Sequence, residues 1–262
     1  MLTLNKVSKN FGGLKVLVEL SLTVAERGIF GLIGPNGAGK TTVFNLITGL
    51  LTPSAGTIEF LGQSLDGMAP FKITRCGVAR TFQNIRVFKE MTLLENVLVA
   101  LGDRPSYSAL SMLLPLPSHR RAEARERERA RELLFRVGLA DKAERCAGTL
   151  SYGEQRRLEI ARALATGPKL LLLDEPAAGM NSVEKDNLMG EILKVSDGAL
   201  SILIIEHDMR FVMEICQRIA VLNFGRLIAQ GRPEEIRANP EVIEAYLGQD
   251  DDVIDGRNGA AS

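Results

Sequence analysis

The stretch GPNGAGKTT at residues 34–42 decides the fold, because it matches the phosphate-binding loop Gly-x-x-x-x-Gly-Lys-[Ser/Thr]. Glycines let successive backbone N–H groups turn inward around a phosphate, and the helix that follows presents its positive end to the same anion. We expect Lys40 to reach the β and γ phosphates of a nucleotide and the Thr41 hydroxyl to ligate Mg²⁺. The residues predicted to hold the nucleotide here are Gly34, Pro35, Asn36, Gly37, Ala38, Gly39, Lys40, Thr41 and Thr42.

The sequence on both sides of the loop supports this interpretation. An apolar run at residues 29–33 follows Gly28, as expected of a buried parallel strand. After the loop, apolar residues recur at helical spacing from Val43 to Leu50 and stop near Gly49 and Pro53. The alternative is a glycine-rich surface turn carrying a lysine, and the order strand, loop, helix argues against it.

Composition excludes several other classes of protein. A chain of 262 residues with 45% hydrophobic content can bury a large α/β core, and its 32 basic and 32 acidic side chains cancel, so no nucleic-acid partner is expected. No apolar stretch approaches the roughly 18 residues that span a bilayer, and the stretch 112–117 is short and broken by prolines. We find no signal-peptide pattern and expect a cytoplasmic chain. Cys76, Cys146 and Cys216 are predicted to be reduced, structural thiols.

The remaining periodicity divides the chain into β-rich and helical regions. Apolar residues alternate at Leu2 and Leu4 and again from Leu20 to Val24, and residues 57–61 follow Gly56, which predicts half-buried antiparallel strands around the loop. Residues 84–149 are mostly helical in pattern. Their charge-dense run at 119–132 predicts a solvated amphipathic helix, with Glu123 and Arg127 four residues apart, and no nucleic-acid role.

Apolar runs at residues 169–174, 200–205 and 219–222 predict three further core strands. The first ends in Asp174 and is followed by Glu175, at the carboxyl end of the strand, where open α/β sheets bind ligands. We expect Asp174 to hold hydrated Mg²⁺ and Glu175 to polarise the attacking water. A pair of surface acids is the alternative.

The segment LSYGEQRR at residues 150–157 resembles the LSGGQ signature of ATP-binding-cassette ATPases, and its place between the phosphate loop and the acidic strand is the order found in that family. The resemblance covers nearly the whole chain. It implies that Ser151, Gly153 and Glu154, at a helix start, bind the γ-phosphate of ATP held by an opposite subunit. A plain N-cap serine is the alternative reading of Ser151.

The same resemblance implies several other roles. Gln83 in ARTFQN is similar to the glutamine that senses Mg²⁺ and the water, in a loop that contacts membrane subunits. His207 is similar to the switch histidine that touches the γ-phosphate. Phe11 in SKNFGG is similar to the aromatic that stacks on adenine, although an ordinary core phenylalanine is a competing interpretation. Residues 175–182, EPAAGMNS, occupy the place of the dimer-contact loop.

Three departures from the family pattern affect communication across the dimer rather than a phosphate ligand: Tyr152 and Glu154 replace Gly and Gln, and Asn181 replaces a common Asp. The segments LSYGEQRRLEIARALA, LLLDEPAAGMN and GRLIAQGRPEEIRANPEVIEAYLG resemble the ATP-binding subunit of branched-chain amino acid uptake systems. Importers of other amino acids, amides or aromatic acids stay open as alternatives.

We therefore predict an α/β fold: a phosphate-loop NTPase core with an antiparallel β subdomain and a helical signature subdomain. Residues 1–248 form a single domain, with the helical part at about 84–165, and 249–262 form a flexible tail. The resemblance implies an ATPase with ATP and Mg²⁺ as cofactors, paired with a second cassette subunit, bound to membrane permeases and served indirectly by a periplasmic solute-binding protein. It would lie at the cytoplasmic face of the inner membrane. A soluble cassette regulator and a phosphate-loop small-molecule kinase are the rival hypotheses.

Overall fold

The computed structural model describes residues 1–102, 117–196 and 200–251, with backbone alone at 117–120 and 247–251. Of the stretch 112–117 noted above, all but Pro117 lies outside these residues. The strands are β1 (Leu2–Phe11), β2 (Leu14–Val24), β3 (Gly28–Ile33), β4 (Ala55–Phe60), β5 (Gln63–Ser64), β6 (Val78–Arg80), β7 (Leu170–Asp174), β8 (Ser201–Ile205), β9 (Arg218–Asn223) and β10 (Arg226–Gly231). The helices are α1 (Lys40–Ile47), α2 (Pro70–Cys76), α3 (Leu93–Leu101), α4 (Pro117–Arg136), α5 (Tyr152–Ala165), α6 (Ser182–Val195), α7 (Met209–Ile215), α8 (Pro233–Arg237) and α9 (Pro240–Asp251).

The chain divides into two compact units. The first unit joins Met1–Ile73 to the segment that starts at Ser201, and the second unit is Thr74–Leu200. The predicted helical part, 84–165, lies wholly inside the second unit, which also holds β6, β7 and α6. The predicted boundaries within the domain stay a prediction. Helix α9 continues to Asp251, into the predicted tail, and residues 252–262 lie outside the description.

The first unit contains the predicted antiparallel sheet, with the strand order β2-β1-β4-β5. Leu2 faces Val24 and Leu4 faces Leu22 in the pairing of β1 with β2, and all four side chains are buried. The alternation read from the sequence is therefore confirmed, since a half-buried strand places every second side chain on one face.

A second layer of the first unit is built on β3, which runs parallel to β8 on one side and to β9 on the other. Strand β10 then returns antiparallel to β9 through the tight turn at Phe224 and Gly225. After their first residues, Gly28 and Ser201, strands β3 and β8 consist of buried glycine and apolar residues, as expected of the core strands predicted from the sequence. Strand β10 mixes the apolar residues 227–229 with polar ones, is only half-buried over most of its length, and was not predicted from the sequence.

The second unit pairs β6 and β7 in parallel and surrounds them with helices. Helix α4 confirms the predicted amphipathic helix: Arg127 lies 3.1 Å from Glu123, both exposed, while Ala130 and Leu134 are buried. No helix in the described ranges combines the length and apolar character that crossing a bilayer requires. The three cysteines are free, and only Cys216 is fully buried.

Candidate functional site

The phosphate loop occupies the turn between β3 and α1 in the first unit. Lys40, the first residue of α1, is buried, and its Nζ donates hydrogen bonds to the carbonyl oxygens of Gly34 at 2.7 Å and Pro35 at 2.9 Å. Asn36 and Gly37 at the tip of the loop are exposed. The ammonium therefore lies inside the loop, below a tip that is open to a ligand.

Backbone geometry explains the glycines of this loop. Gly34 has a φ of 149°, and a Cβ there would lie 2.1 Å from the carbonyl oxygen of Leu222 in β9. Gly39 has a φ of 102° and caps α1 without any side-chain hydrogen bond. Gly39 is the N-cap of α1, and the positive end of a helix at such a position favours a bound anion.

His207 and Phe11 lie in the same unit as the loop. Strand β8 is parallel to β3, with Leu32 facing Ile205, so the residues after β8 emerge at the edge from which the loop emerges. The His207 side chain is 61% exposed and its Nδ1 lies 3.8 Å from the buried carboxylate of Glu206. Phe11 ends β1, is 45% exposed, and carries the Lys9 ammonium 5.1 Å from its ring centre, so it is not a core residue.

The acidic pair after β7 lies in the second unit, and its two members have different partners. Asp174 is buried, and its Oδ2 accepts a hydrogen bond from Nη2 of Arg80, the last residue of β6, at 2.6 Å. The Asp174 backbone N–H also donates to Oγ1 of Thr81 at 3.4 Å. The carboxylate predicted to hold Mg²⁺ thus has a guanidinium partner supplied by the neighbouring strand.

Glu175 is joined to Gln83 by a hydrogen bond from Nε2 of the glutamine to Oε2 of the carboxylate, at 2.9 Å. Glu175 has a φ of 46°, a left-handed conformation that a residue with a side chain adopts only at a cost of about 1–2 kcal/mol. Its carbonyl oxygen accepts from the Ala178 N–H at 3.2 Å, which closes a tight turn after β7. The predicted base and the predicted glutamine-loop residue are therefore in contact.

The signature segment begins α5 with a capping box. Ser151 is the N-cap: its Oγ accepts from the Glu154 N–H at 3.4 Å, while Oε2 of Glu154 accepts from the Ser151 N–H at 2.9 Å. Glu154 also forms an ion pair with Lys142, and this hydrogen bond, with those from Ser151, lowers the pKa of its carboxyl. Gly153 is buried in the first turn. The N-cap interpretation of Ser151 is thus realised, and its hydroxyl proton can still donate to a ligand.

Four charged residues around these groups were not predicted: Arg80, Lys142, Arg156 and Glu159. A signal for Arg156 exists in the sequence, because Gly153, Arg156 and Ile160 recur at helical spacing on the face of α5 that is buried. A charged residue on such a face requires buried partners. Arg80 has no comparable signal, since its strand is only three residues long.

Comparison with known proteins identifies the family. A family model described as ABC transporter matches residues 17–178, more than half of the chain, and the chain therefore belongs to the ABC transporter family as one of its nucleotide-binding ATPases. A second model, described as branched-chain amino acid ATP-binding cassette transporter, matches residues 226–252. The α/β cassette fold that the family resemblance implied is confirmed.

Individual relatives agree with this assignment. The chain is 48% identical over 250 residues to the high-affinity branched-chain amino acid transport ATP-binding protein BraF of Pseudomonas aeruginosa, covering 95% of this chain and 98% of BraF. The ADP conformation of MJ1267, an ATP-binding cassette of an ABC transporter, matches with a TM-score of 0.81 and 32% identity over 95% of this chain and 98% of that one. A dimeric, post-hydrolysis structure of the cassette MJ0796 with ADP and Pi matches with a TM-score of 0.73 and 26% identity over 89% and 99%.

Proposed function

We propose that this chain is the ATP-hydrolysing subunit of an importer for branched-chain amino acids. The observation that carries the proposal is the match with BraF, which extends over nearly the full length of both chains at 48% identity. The separate match at residues 226–252 supports the same solute class from a segment that lies outside the ATPase motifs. The phosphate loop and the Gln83–Glu175 pair supply the chemistry that such a subunit needs.

In this proposal the loop from Gly34 to Thr42 holds the phosphates of ATP. Lys40 exchanges the carbonyl oxygens of Gly34 and Pro35 for oxygens of the β and γ phosphates, and the N-terminus of α1 faces the same anion in this proposal. Phe11, at the exposed end of β1, offers its ring to the adenine. His207, which follows the neighbouring strand β8, is proposed to contact the γ-phosphate.

The residues proposed to hold Mg²⁺ fit that ion. Thr41, Gln83 and Asp174 offer hydroxyl, amide and carboxylate oxygens, which are the ligands that Mg²⁺ prefers. No cluster of three or more His, Cys, Asp or Glu side chains able to hold a metal occurs in the described part of the chain. In this proposal, phosphate oxygens and water would complete the coordination of the ion. When bound, the ion neutralises charge that develops on the phosphates.

Glu175 is the proposed general base. Its carboxylate orients and polarises the attacking water, and Gln83 holds that carboxylate through the 2.9 Å hydrogen bond. Glu175 opens the tight turn after β7 in a left-handed backbone conformation. Proton transfer from water to Glu175 and displacement of ADP from the γ-phosphorus would release free phosphate.

The signature residues are proposed to act on a second subunit. Ser151, Gly153 and Glu154 lie at the N-terminus of α5, where the helix favours a γ-phosphate presented by a partner cassette. The dimeric state of the MJ0796 structure supports this pairing. We further propose that the pair binds membrane permeases at the cytoplasmic face of the inner membrane, as a peripheral subunit, and that a periplasmic binding protein delivers the solute.

The test uses the full chain co-expressed with the permeases of its own transport system and reconstituted in liposomes. Glu175→Gln should abolish release of phosphate from ATP and uptake of labelled leucine, while ATP binding persists and dimers accumulate. Glu214→Gln is the matched control, because Glu214 is an exposed carboxylate that pairs with Arg210 in its own helix at 2.9 Å and lies outside the proposed machinery. Unchanged ATP hydrolysis in Glu175→Gln would remove Glu175 as the base.

The same preparations separate the rival functions. Recovery of the chain with permeases in mild detergent supports a transporter subunit, and recovery with ribosomes or DNA supports a soluble regulator. Formation of a phosphorylated metabolite in place of free phosphate would support a kinase. Uptake of amides or aromatic acids in preference to leucine would move the proposal to another solute class.

A further inference from the structure

Arg156, in the second turn of α5, is the largest fully buried side chain of the described residues, with 0% of its surface exposed. A charged group is almost never buried to this extent unless it is paired and hydrogen-bonded, because removing it from water is costly. The phosphate-binding and water-activating roles proposed above do not use this residue. Its burial therefore needs a separate explanation.

The guanidinium of Arg156 joins three segments of the second unit. Its Nη1 donates to the carbonyl oxygen of Phe82 at 2.5 Å, and its Nη2 donates to the carbonyl oxygens of Gln83 at 2.9 Å and Glu175 at 3.2 Å. Nη1 also contacts Oε2 of Glu159, one turn further along α5, at 2.8 Å. One side chain thus binds the backbone of the glutamine loop and the backbone that follows β7.

These backbone contacts flank the two side chains proposed to handle the water. Gln83 and Glu175 touch each other through their side chains at 2.9 Å and share the same guanidinium through their carbonyl oxygens. A strained conformation such as the φ of 46° at Glu175 persists only where surrounding groups fix it. Arg156 and the Ala178 N–H are the two donors that fix the Glu175 peptide in the described structure.

We propose that Arg156 is a positioning residue for ATP hydrolysis. It holds Gln83 and Glu175 in a fixed position relative to each other by hydrogen bonding to the backbone carbonyl oxygens of both residues. The inference rests on the proposed role of Glu175. It adds that the signature helix, which begins at Tyr152, is connected directly to the base within one subunit. Movement of α5 would therefore displace the base and the glutamine together.

Glu159 completes the group by balancing the charge. Burial raises the pKa of its carboxyl, and the Arg156 guanidinium opposes that effect, together with the Phe82 N–H, which donates to Oε1 at 3.3 Å. The planar fork of arginine reaches several acceptors at fixed angles, whereas a lysine ammonium is a point charge. Lysine at this position would neutralise Glu159 without spanning Gln83 and Glu175.

The experiment compares Arg156→Gln, Arg156→Lys and the control Arg157→Gln in the full transporter. Arg157 is the next residue of the same helix and pairs with Glu191 at 2.8 Å, and both of these side chains are more exposed than Arg156. Since Arg156→Gln leaves the buried Glu159 without its cation, the double variant Arg156→Gln/Glu159→Gln is made in parallel. Steady-state ATP hydrolysis, ADP binding, thermal midpoint and amide hydrogen exchange are measured for each.

We expect kcat to fall about 10- to 100-fold in Arg156→Gln and in the double variant, as for a misplaced catalytic group. KM for ATP should stay within about threefold, because the phosphate loop is untouched. Arg156→Lys should recover the thermal midpoint and not kcat, and hydrogen exchange should accelerate in peptides containing Gln83 and Ala178. Arg157→Gln should lower the thermal midpoint and keep kcat within about twofold.

Equal kcat in the Arg156 and Arg157 variants, or full recovery of kcat by lysine, would show that Arg156 only stabilises the fold, and would overturn the proposal. If the wild-type transporter does not hydrolyse ATP, the proposed function fails, and hydrogen exchange alone decides the positioning claim. Faster hydrogen exchange in Arg156→Gln, at the peptide containing Gln83 and at the peptide containing Ala178, would then support the positioning role. Exchange that is unchanged, or changed at one peptide only, would refute it.

Discussion

Replacing Arg80 by methionine should destabilise the protein strongly, because it leaves a buried carboxylate without its cation. The Arg80–Asp174 pair spans 2.6 Å, and its two side chains are only 6% and 5% exposed. Removing one partner of a buried ion pair costs about 3–5 kcal/mol, most of it from the charge left behind in a medium of low polarity. The Arg80 guanidinium also lies 5.3 Å from the ring centre of Phe82, a contact worth about 0.5–1 kcal/mol.

A loss of this size should lower the thermal midpoint by about 6–20 °C for a chain of this length. Two variants make the comparison specific. Arg127→Gln breaks an ion pair of similar length, 3.1 Å, whose side chains are 53% and 62% exposed, and should cost less than about 1 kcal/mol. Arg80→Met/Asp174→Asn removes both buried charges and should recover part of the stability that Arg80→Met loses.

Differential scanning calorimetry and urea unfolding at pH 7 measure these differences. The reasoning would be refuted if Arg80→Met lowered the free energy of unfolding by no more than Arg127→Gln does. It would also be refuted if the double variant were less stable than Arg80→Met, since the loss would then come from the arginine contacts alone and not from the unpaired carboxylate.

Three further predictions concern the phosphate loop, a buried thiol and the half-buried Lys142–Glu154 ion pair. Gly34→Ala should abolish binding of a fluorescent ATP analogue, because its Cβ would lie 2.1 Å from the Leu222 carbonyl oxygen; binding at wild-type affinity would contradict the described loop geometry. Iodoacetamide at pH 8 should label Cys76 and Cys146 long before Cys216, since burial raises the pKa of the Cys216 thiol to about 12. Mass spectrometry of timed samples measures the labelling, and early labelling of Cys216 would contradict the prediction. Glu154→Gln should be less stable than wild type at pH 7. The hydrogen bond from Lys142 is the main cause of the lowered pKa of Glu154 in the folded protein. The ionised carboxylate therefore stabilises the folded state at pH values above 4.5, its ordinary pKa, and this stabilisation is lost as the pH falls through the folded-state pKa. The difference in thermal midpoint should shrink at acidic pH, and a difference independent of pH would contradict this origin.

The parts of the fold that could be predicted from the sequence are those that depend on local patterns of apolar and glycine residues. The phosphate loop, the buried runs of β3, β7 and β8 and the amphipathic stripe of α4 each depend on residues close together in the chain. The fold class followed from their order. Strand β10 was not predicted because apolar and polar residues do not alternate along it. It is recognised as a strand only by its pairing with β9 across a two-residue turn.

The partners of the site residues were less predictable, because they depend on register between distant segments. Arg80 meets Asp174 since β6 pairs in parallel with β7, with Arg80 facing Leu172, and no periodicity in a three-residue strand encodes that pairing. The contact between Gln83 and Glu175 likewise joins positions 92 residues apart. The place of Glu175 after an apolar strand predicted that residue and the family resemblance predicted Gln83, but the contact between them is seen only in the folded chain.

The two hydrogen bonds of Lys40 have a consequence for which nucleotides the loop prefers. The ammonium already has the carbonyl oxygens of Gly34 and Pro35 as acceptors, so a ligand must compete with internal partners of good geometry. A diphosphate or triphosphate presents charged oxygens that are stronger acceptors than a peptide carbonyl, whereas adenosine presents none and AMP only a single phosphate. We therefore expect the loop to bind ADP and ATP more tightly than AMP or adenosine, because the number of charged phosphate oxygens decides how well a ligand competes for Lys40.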